Sequence, residues 1–300
     1  DSIDLAMAEP DPRAEEETKP PPRAAKPHFR PVDIAWYLLL TALSVLILFP
    51  IYMTFVRAIS NPSTVLFKKT APLTPVDPQW GAFREAFTEG NLGRPLWISA
   101  LVTILIVVGQ TVTSILAAYA FAFLRFPGKR FVFLAFLATL MVPTEVIIVA
   151  QFQIVSDLGW LNPFAGLVVP FVAWTFGTFM IRQSFLNVPN DLRDATALDG
   201  YGHFGFMWHV AIPLARPAIA GLSVFSFLYA WNQYLWPLLV ADDPDVRTVQ
   251  IGLKSLNSAN VDELNLVMAG TLIAALPIAL VLIVFQRHLV RGLTAGAVKG

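Results

Sequence analysis

Apolar residues fall into six long blocks along the chain, at 34–56, 96–124, 131–155, 158–181, 217–241 and 264–286. Polar or Pro-rich segments separate them. Each block reaches the roughly 20 residues that a helix needs to cross about 30 Å of hydrocarbon. A helix is required, because an isolated strand in lipid would leave its backbone groups unpaired. The block 96–124 carries no charge, and Glu145 alone interrupts 131–155. Pro143, Pro170 and Pro277 lie inside blocks and predict a kink or break at each. The pattern therefore predicts an all-α membrane protein with six spans at 32–300.

Composition fits that class. The chain is 56% hydrophobic and 14% charged, with mean hydropathy +0.61, more apolar surface than a soluble domain can cover. Net charge is zero, which gives no support to nucleic-acid binding. There is no Cys, so disulfides, thiolate metal sites and thiol nucleophiles are excluded. His28, His203, His209 and His288 form no ligand pair at useful spacing, so no metal site is expected. A phosphate-binding Gly-x-x-x-x-Gly-Lys-Ser/Thr is missing. Gly128-Lys129 lacks both the upstream Gly and the following hydroxyl. The chain is thus not expected to be an enzyme, and any ATP used would be hydrolysed elsewhere.

Residues 1–31 are rich in Pro, Ala, Glu, Lys and Arg and predict a disordered tail. They lack the arrangement of a signal peptide. With the N-terminus in the cytoplasm, fourteen Lys and Arg fall on the inner side and seven on the outer. The positive-inside bias then puts both termini, the loop 182–216 and a tail 287–300 in the cytoplasm. The outer segments 57–95 and 242–263 either cap the bundle or dock an external partner.

The loop between the fourth and fifth blocks is the most informative stretch. Residues 194–217 read DATALDGYGHFGFMWHVAIPLARP. Residues 192–198 suit a short helix capped by Asn190 or Asp191. Ala195 and Ala197 are small enough for another protein to approach. Gly200 supplies a reversal that a side chain would obstruct. Residues 204–210 suit a second short helix with Phe204, Met207 and Trp208 on one face. Pro213 and Pro217 would start the fifth span. An ordinary amphipathic interfacial loop is the plain reading. A rigid lever driven by another protein is the sharper one.

This stretch resembles the coupling-loop signature of ABC importer permeases: Glu-Ala-Ala, three residues, Gly, about nine residues, then Ile-x-Leu-Pro. Asp194-Ala195-Thr196, Gly200 and Ile212-Pro213 stand at those places. Asp for Glu, Thr for Ala and Ile-Pro for Leu-Pro are mild departures. The likeness extends to Phe49-Pro50-Ile51-Tyr52, to 140–146, to 231–238 (Trp-Asn-Gln-Tyr-Leu-Trp-Pro-Leu) and to 286–293. Together these are similar to the carbohydrate-uptake branch. They are most similar to second permease subunits of glycerol-3-phosphate and glycerophosphodiester importers, relatives of the smaller maltose permease subunit.

The resemblance implies a type I permease fold in the bacterial inner membrane, with no cofactor bound by this chain. ATP and Mg would sit on a partner ATPase dimer in the cytoplasm. A homologous second permease subunit and an extracytoplasmic substrate-binding protein would complete the system, in contact with membrane lipid. The solute would be glycerol-3-phosphate or a glycerophosphodiester such as glycerophosphocholine, with a maltose- or trehalose-type sugar as the alternative. Asp194, Ala195, Thr196, Asp199, Gly200, Ile212 and Pro213 are the coupling candidates.

Glu145, Trp231, Asn232, Gln233 and Tyr234 are candidates for the solute path. Glu145 alternatively locks a kink beside Pro143 or pairs with the sister subunit, and the 231–234 group alternatively belongs to an interfacial belt. Arg287 and Arg291 are either positive-inside anchors or contacts to the ATPase. A lone secondary transporter or channel, and a membrane scaffold, are the competing functional classes.

Overall fold

The computed structural model describes residues 31–66, 72–88, 90–256 and 263–294, and every regular element among them is helical. The expected tail 1–31 lies outside the described residues apart from Pro31. The chain divides after Ile51 into two units. In the first, the opening part of helix α1 (Pro31–Ala58) is apolar on all sides. Trp36, Leu38, Leu46 and Ile47 are all exposed, as expected of a helix whose surroundings are lipid or protein rather than water. Pro50 does not close this helix; α1 runs through it to Ala58.

The second unit is built around α3 (Gly93–Phe123), which follows the short helix α2 (Ala82–Thr88). The face of α3 turned inward carries Ser99, Thr103, Gln110, Ser114 and Ala118 beside Ile98, Val102 and Ile106. Ile104, Leu105, Val108, Val112 and Leu116 point outward. Small and polar groups inside with large apolar groups outside is the pattern of a membrane helix, where close packing and hydrogen bonds drive association. α7 (Thr175–Leu186) and α10 (Arg216–Trp231) pack on this face, and α10 also packs on α13 (Leu264–Thr294). At Gly177 on α7 a Cβ would lie 2.4 Å from Ser114 Oγ, so only glycine allows that approach.

Among the described residues three helices are long and apolar enough to span, or up to six if each of three bent pairs is one span. The third block is not one helix. α4 (Lys129–Ala138), with its last turn at Thr139–Met141, meets α5 (Thr144–Asp157) at 100°. Pro143 stands at the break in extended conformation, because its ring cannot continue the preceding turn. The fourth span also starts later than its apolar block. Gly159 and Asn162 adopt left-handed conformations in a turn, and α6 (Phe164–Val168) begins beyond them. α6 and its 3-10 extension through Phe171 meet α7 at 44°.

Buried side chains of α3 satisfy the carbonyls freed at that second break. Gln110 Nε2 donates to Phe171 O at 2.8 Å, and Thr113 Oγ1 to Val172 O at 2.6 Å. The two breaks meet through Thr139 Oγ1 and Thr175 Oγ1, 2.9 Å apart. The fifth span ends at Trp231, and α11 (Leu235–Val240) follows a break at 232–234. The short helix α12 (Val249–Leu256) leads toward α13, which passes Pro277 unbroken. α13 also continues to Thr294, so Arg287 and Arg291 lie in helix rather than in a separate tail starting at 287.

Candidate coupling loop and translocation cavity

The loop after α7 folds as α8 (Asn190–Leu198), a turn, and α9 (His203–Phe206) continued by a π-helical turn at Met207–Ala211. The helix starts one residue earlier than a side-chain cap would require. Pro189 occupies the N-cap and no side chain caps the helix. Asn190 and Asp191 therefore lie inside the first turn, where the carboxylate of Asp191 favours the positive end of the helix dipole.

The C-terminus of α8 is tightly closed. Gly200 has φ +82°. Its N–H donates to Ala197 O at 3.1 Å, and Tyr201 N–H reaches back to Thr196 O at 3.0 Å. This pair of bonds is a Schellman cap, which needs a left-handed residue at that position. A Cβ on Gly200 would meet no atom within 4 Å. The expected steric obstruction is thus not there; the requirement for glycine is conformational. Thr196 is buried, and its hydroxyl donates to Leu192 O.

Beyond the cap the loop is anchored to the membrane helices. Tyr119 Oη on α3 donates to His203 O at 2.8 Å and lies 3.2 Å from His203 Nδ1. Phe206, Met207 and Ala211 are buried with Ala118, Tyr119, Ile181, Phe185 and Leu222. Phe123 meets Phe206 edge-on at 5.1 Å. The outer side of the loop is different: Leu198 is 89% exposed, Phe204 73% and Trp208 61%. The face expected to unite Phe204, Met207 and Trp208 is therefore divided, because the π-helical turn rotates Met207 inward. Of the coupling candidates, Asp194, Ala195, Asp199 and Gly200 are exposed, Thr196 is buried, and Ile212 and Pro213 are half-buried. α9 and the residues through Leu214 meet α10 at 76°.

A cavity of about 280 Å³ opens at the α4–α5 break. Thr144, Glu145, Ile148 and Gln151 line it from α5, Phe171 and Tyr229 from neighbouring helices, Gln233 and Tyr234 from the break after α10, and Leu235 and Trp236 from the start of α11. Glu145 is exposed in the first turn of α5, a position where the helix dipole supports a carboxylate. Gln233 Nε2 is buried there without a hydrogen-bond partner among the described residues.

The structure thus brings Glu145, Gln233 and Tyr234 together. Trp231 and Asn232 are not among the lining residues. Trp231 is buried, stacks on Phe227 and donates Nε1 to Ala274 O at 3.1 Å. Asn232 ends α10 and turns its amide back to Leu228 O. Sequence reasoning missed Thr144, Gln151 and Tyr229. The spacing 144, 148, 151 was the available signal, since it puts these side chains on one helical face. Arg287 is exposed on α13, and the side chain of Arg291 lies outside the described residues. Among the described residues no group of His, Cys, Asp and Glu could hold a metal.

A helical membrane protein with broken spans and a capped short helix between two of them has the architecture of a transporter permease. Comparison with known proteins gives the family. The model of the binding-protein-dependent transport system inner membrane component matches residues 97–295. The sn-glycerol-3-phosphate transport system permease protein UgpE of Brucella abortus is 38% identical over 274 residues, covering 88% of this chain and 97% of that protein. The UgpE proteins of Agrobacterium fabrum (37% over 267 residues, 86% and 94% covered) and Yersinia enterocolitica (35% over 272 residues, 88% and 96%) are similar to it as well. Among solved structures, a bacterial ABC transporter involved in the import of the acidic polysaccharide alginate shares the fold. Its TM-score is 0.77 at 22% identity, covering 87% of this chain and 99% of that one. The chain belongs to the family of binding-protein-dependent transport system inner membrane components. It is a non-catalytic permease subunit of an ABC importer.

Proposed function

We propose that this subunit forms half of the translocation path for glycerol-3-phosphate or a glycerophosphodiester, and that α8 receives the stroke of a cytoplasmic ATPase dimer. One observation carries the coupling part: α8 is closed by a Schellman cap, exposes Leu198, and joins a segment fixed to α3 by Tyr119. A short capped helix that exposes Leu198 beside Asp194 and Asp199, and continues into a segment buried against α3, can pass displacement into spans. In this reading both termini are cytoplasmic, a homologous permease completes the path, and an extracytoplasmic binding protein delivers the solute.

The substrate class follows the relatives, whose names specify sn-glycerol-3-phosphate. The cavity chemistry constrains how such a solute would lie. It is lined by a carboxylate, two Gln, a Thr and several aromatics, with no Lys or Arg. Glu145 repels phosphate and accepts hydroxyl donors, so the glycerol end, or the cationic end of a diester, faces this subunit. ATPase activity of the reconstituted complex with its binding protein tests both parts. Stimulation by glycerol-3-phosphate or glycerophosphocholine, and not by maltose or trehalose, is the expected result. Stimulation by a sugar alone would keep the coupling and overturn the substrate, and an ATPase that never associates with the chain would overturn the coupling.

A further inference from the structure

A second cavity, of about 250 Å³, is basic. Phe121, Lys129, Arg130, Phe133 and Arg182 line it. It sits where α3 ends, α4 begins and α7 passes. Lys129 Nζ donates to Ala122 O at 3.1 Å and Leu124 O at 2.9 Å. Arg182 donates Nε to Phe121 O at 3.2 Å, and its guanidinium carbon lies 4.1 Å from the Phe133 ring centroid. These contacts fix two cations without neutralising them, because carbonyls and a ring carry no net charge. No carboxylate among the described residues forms an ion pair with either. Arg130 is exposed and makes no hydrogen bond or ion pair with the described residues.

Donor counting shows what is left over. Lys129 has three N–H donors and uses two; Arg182 has five and uses one; all five of Arg130 remain. Three cations with spare donors around one cavity match an oxyanion of the phosphate type. Beside the cavity, Phe131 (76% exposed), Val132 and Leu134 on α4 present large apolar side chains outward. A basic recess at the edge of an apolar, lipid-facing helix matches an anionic headgroup with its acyl chains along the helix.

We propose that Lys129, Arg130 and Arg182 form a phosphate-binding site at the membrane boundary, filled by the headgroup of an anionic lipid. Its place on the cytoplasmic leaflet rests on the orientation proposed above; the binding chemistry does not.

The test is native mass spectrometry of the full chain in detergent, with phosphatidylglycerol and phosphatidylcholine supplied in competition. Phosphatidylglycerol should bind selectively, and Arg130→Gln, which disturbs no described contact, should weaken it about fivefold. The triple variant Lys129→Gln, Arg130→Gln, Arg182→Gln should abolish the selectivity. The control pair Arg125→Gln and Arg216→Gln, basic positions outside the cavity, should leave it intact. A second arm adds inorganic phosphate. Selective phosphate binding with no preference for phosphatidylglycerol would keep the site and assign it to a soluble anion. Equal losses in the control pair and in Arg130→Gln, or no selectivity for either anion in the unmodified chain, would overturn the proposal. Failure here leaves the ATPase result untouched, because lipid binding in detergent needs neither solute nor orientation.

Discussion

Gln110 and Gly200 show two ways in which one residue serves this protein. Gln110 is almost fully buried and gives its amide to the carbonyl of Phe171 at a helix break. Replacing it with Leu leaves that carbonyl without its donor. Gln110→Leu should lose about 1–3 kcal/mol of stability, measured as a lower unfolding temperature in detergent. Gly200 costs nothing in space and everything in conformation: φ is +82°, and the space a Cβ would take has no neighbouring atom. A left-handed non-Gly residue costs roughly 1–2 kcal/mol, and Asn tolerates that region better than β-branched residues. Gly200→Asn should therefore keep most solute uptake, Gly200→Ala less, and Gly200→Val little, while membrane levels of all three stay near the parent's. Equal uptake by the Val variant would show that the cap plays no part in coupling. The need for glycine at 200 was legible from sequence; that the reason is φ, and not crowding, was visible only from the atoms around it.

At the scale of elements, the loop proposed for coupling is tied to α3 by one side-chain hydroxyl and a buried apolar cluster. Tyr119 is the polar tie between α3 and α9. Tyr119→Phe keeps the ring contacts with Phe123 and Phe185 and removes the hydroxyl. The loss is about 1 kcal/mol, too little to unfold the protein. The expected outcome is ATP hydrolysis that continues with less solute moved per ATP, measured in proteoliposomes.

The sequence marked α8 well, since its helix, its glycine and its flanking prolines are local signals. It did not reveal the division of the second short helix. Phe204, Met207 and Trp208 share a face in an α-helix, and a π-helical turn rotates them apart. The break in the third block, by contrast, was legible at Pro143, though its angle was not. Pro143 permits a break, and the 100° angle is decided by what α4 and α5 pack against.

At the scale of the molecule, orientation is the property most open to a direct check. The chain has no Cys, so single Cys residues can be introduced on a clean background. Leu198→Cys should react with a membrane-impermeant maleimide only in inside-out vesicles. Trp80→Cys, on the opposite predicted side and exposed, should react only in right-side-out cells. The reverse pattern would put the coupling loop away from ATP and end the proposed mechanism.

Apolar block length, proline positions and the signature at 194–213 determined the class, the candidate spans and the segment proposed for coupling, because each depends on residues near one another in the chain. The cavity at Glu145 and the basic cavity at Lys129 were decided by tertiary structure. Gln233 and Tyr234 line one cavity with Glu145, while Trp231 and Asn232 beside them do not, since the break after α10 turns successive side chains in different directions. Arg182 joins Lys129 and Arg130 only because α7 packs against α3 and α4. Most residues within a span are apolar enough to face lipid, so overall hydrophobicity, the signal that finds membrane helices, carries little information about which faces meet; the small and polar residues on the inner face of α3 are the local exception.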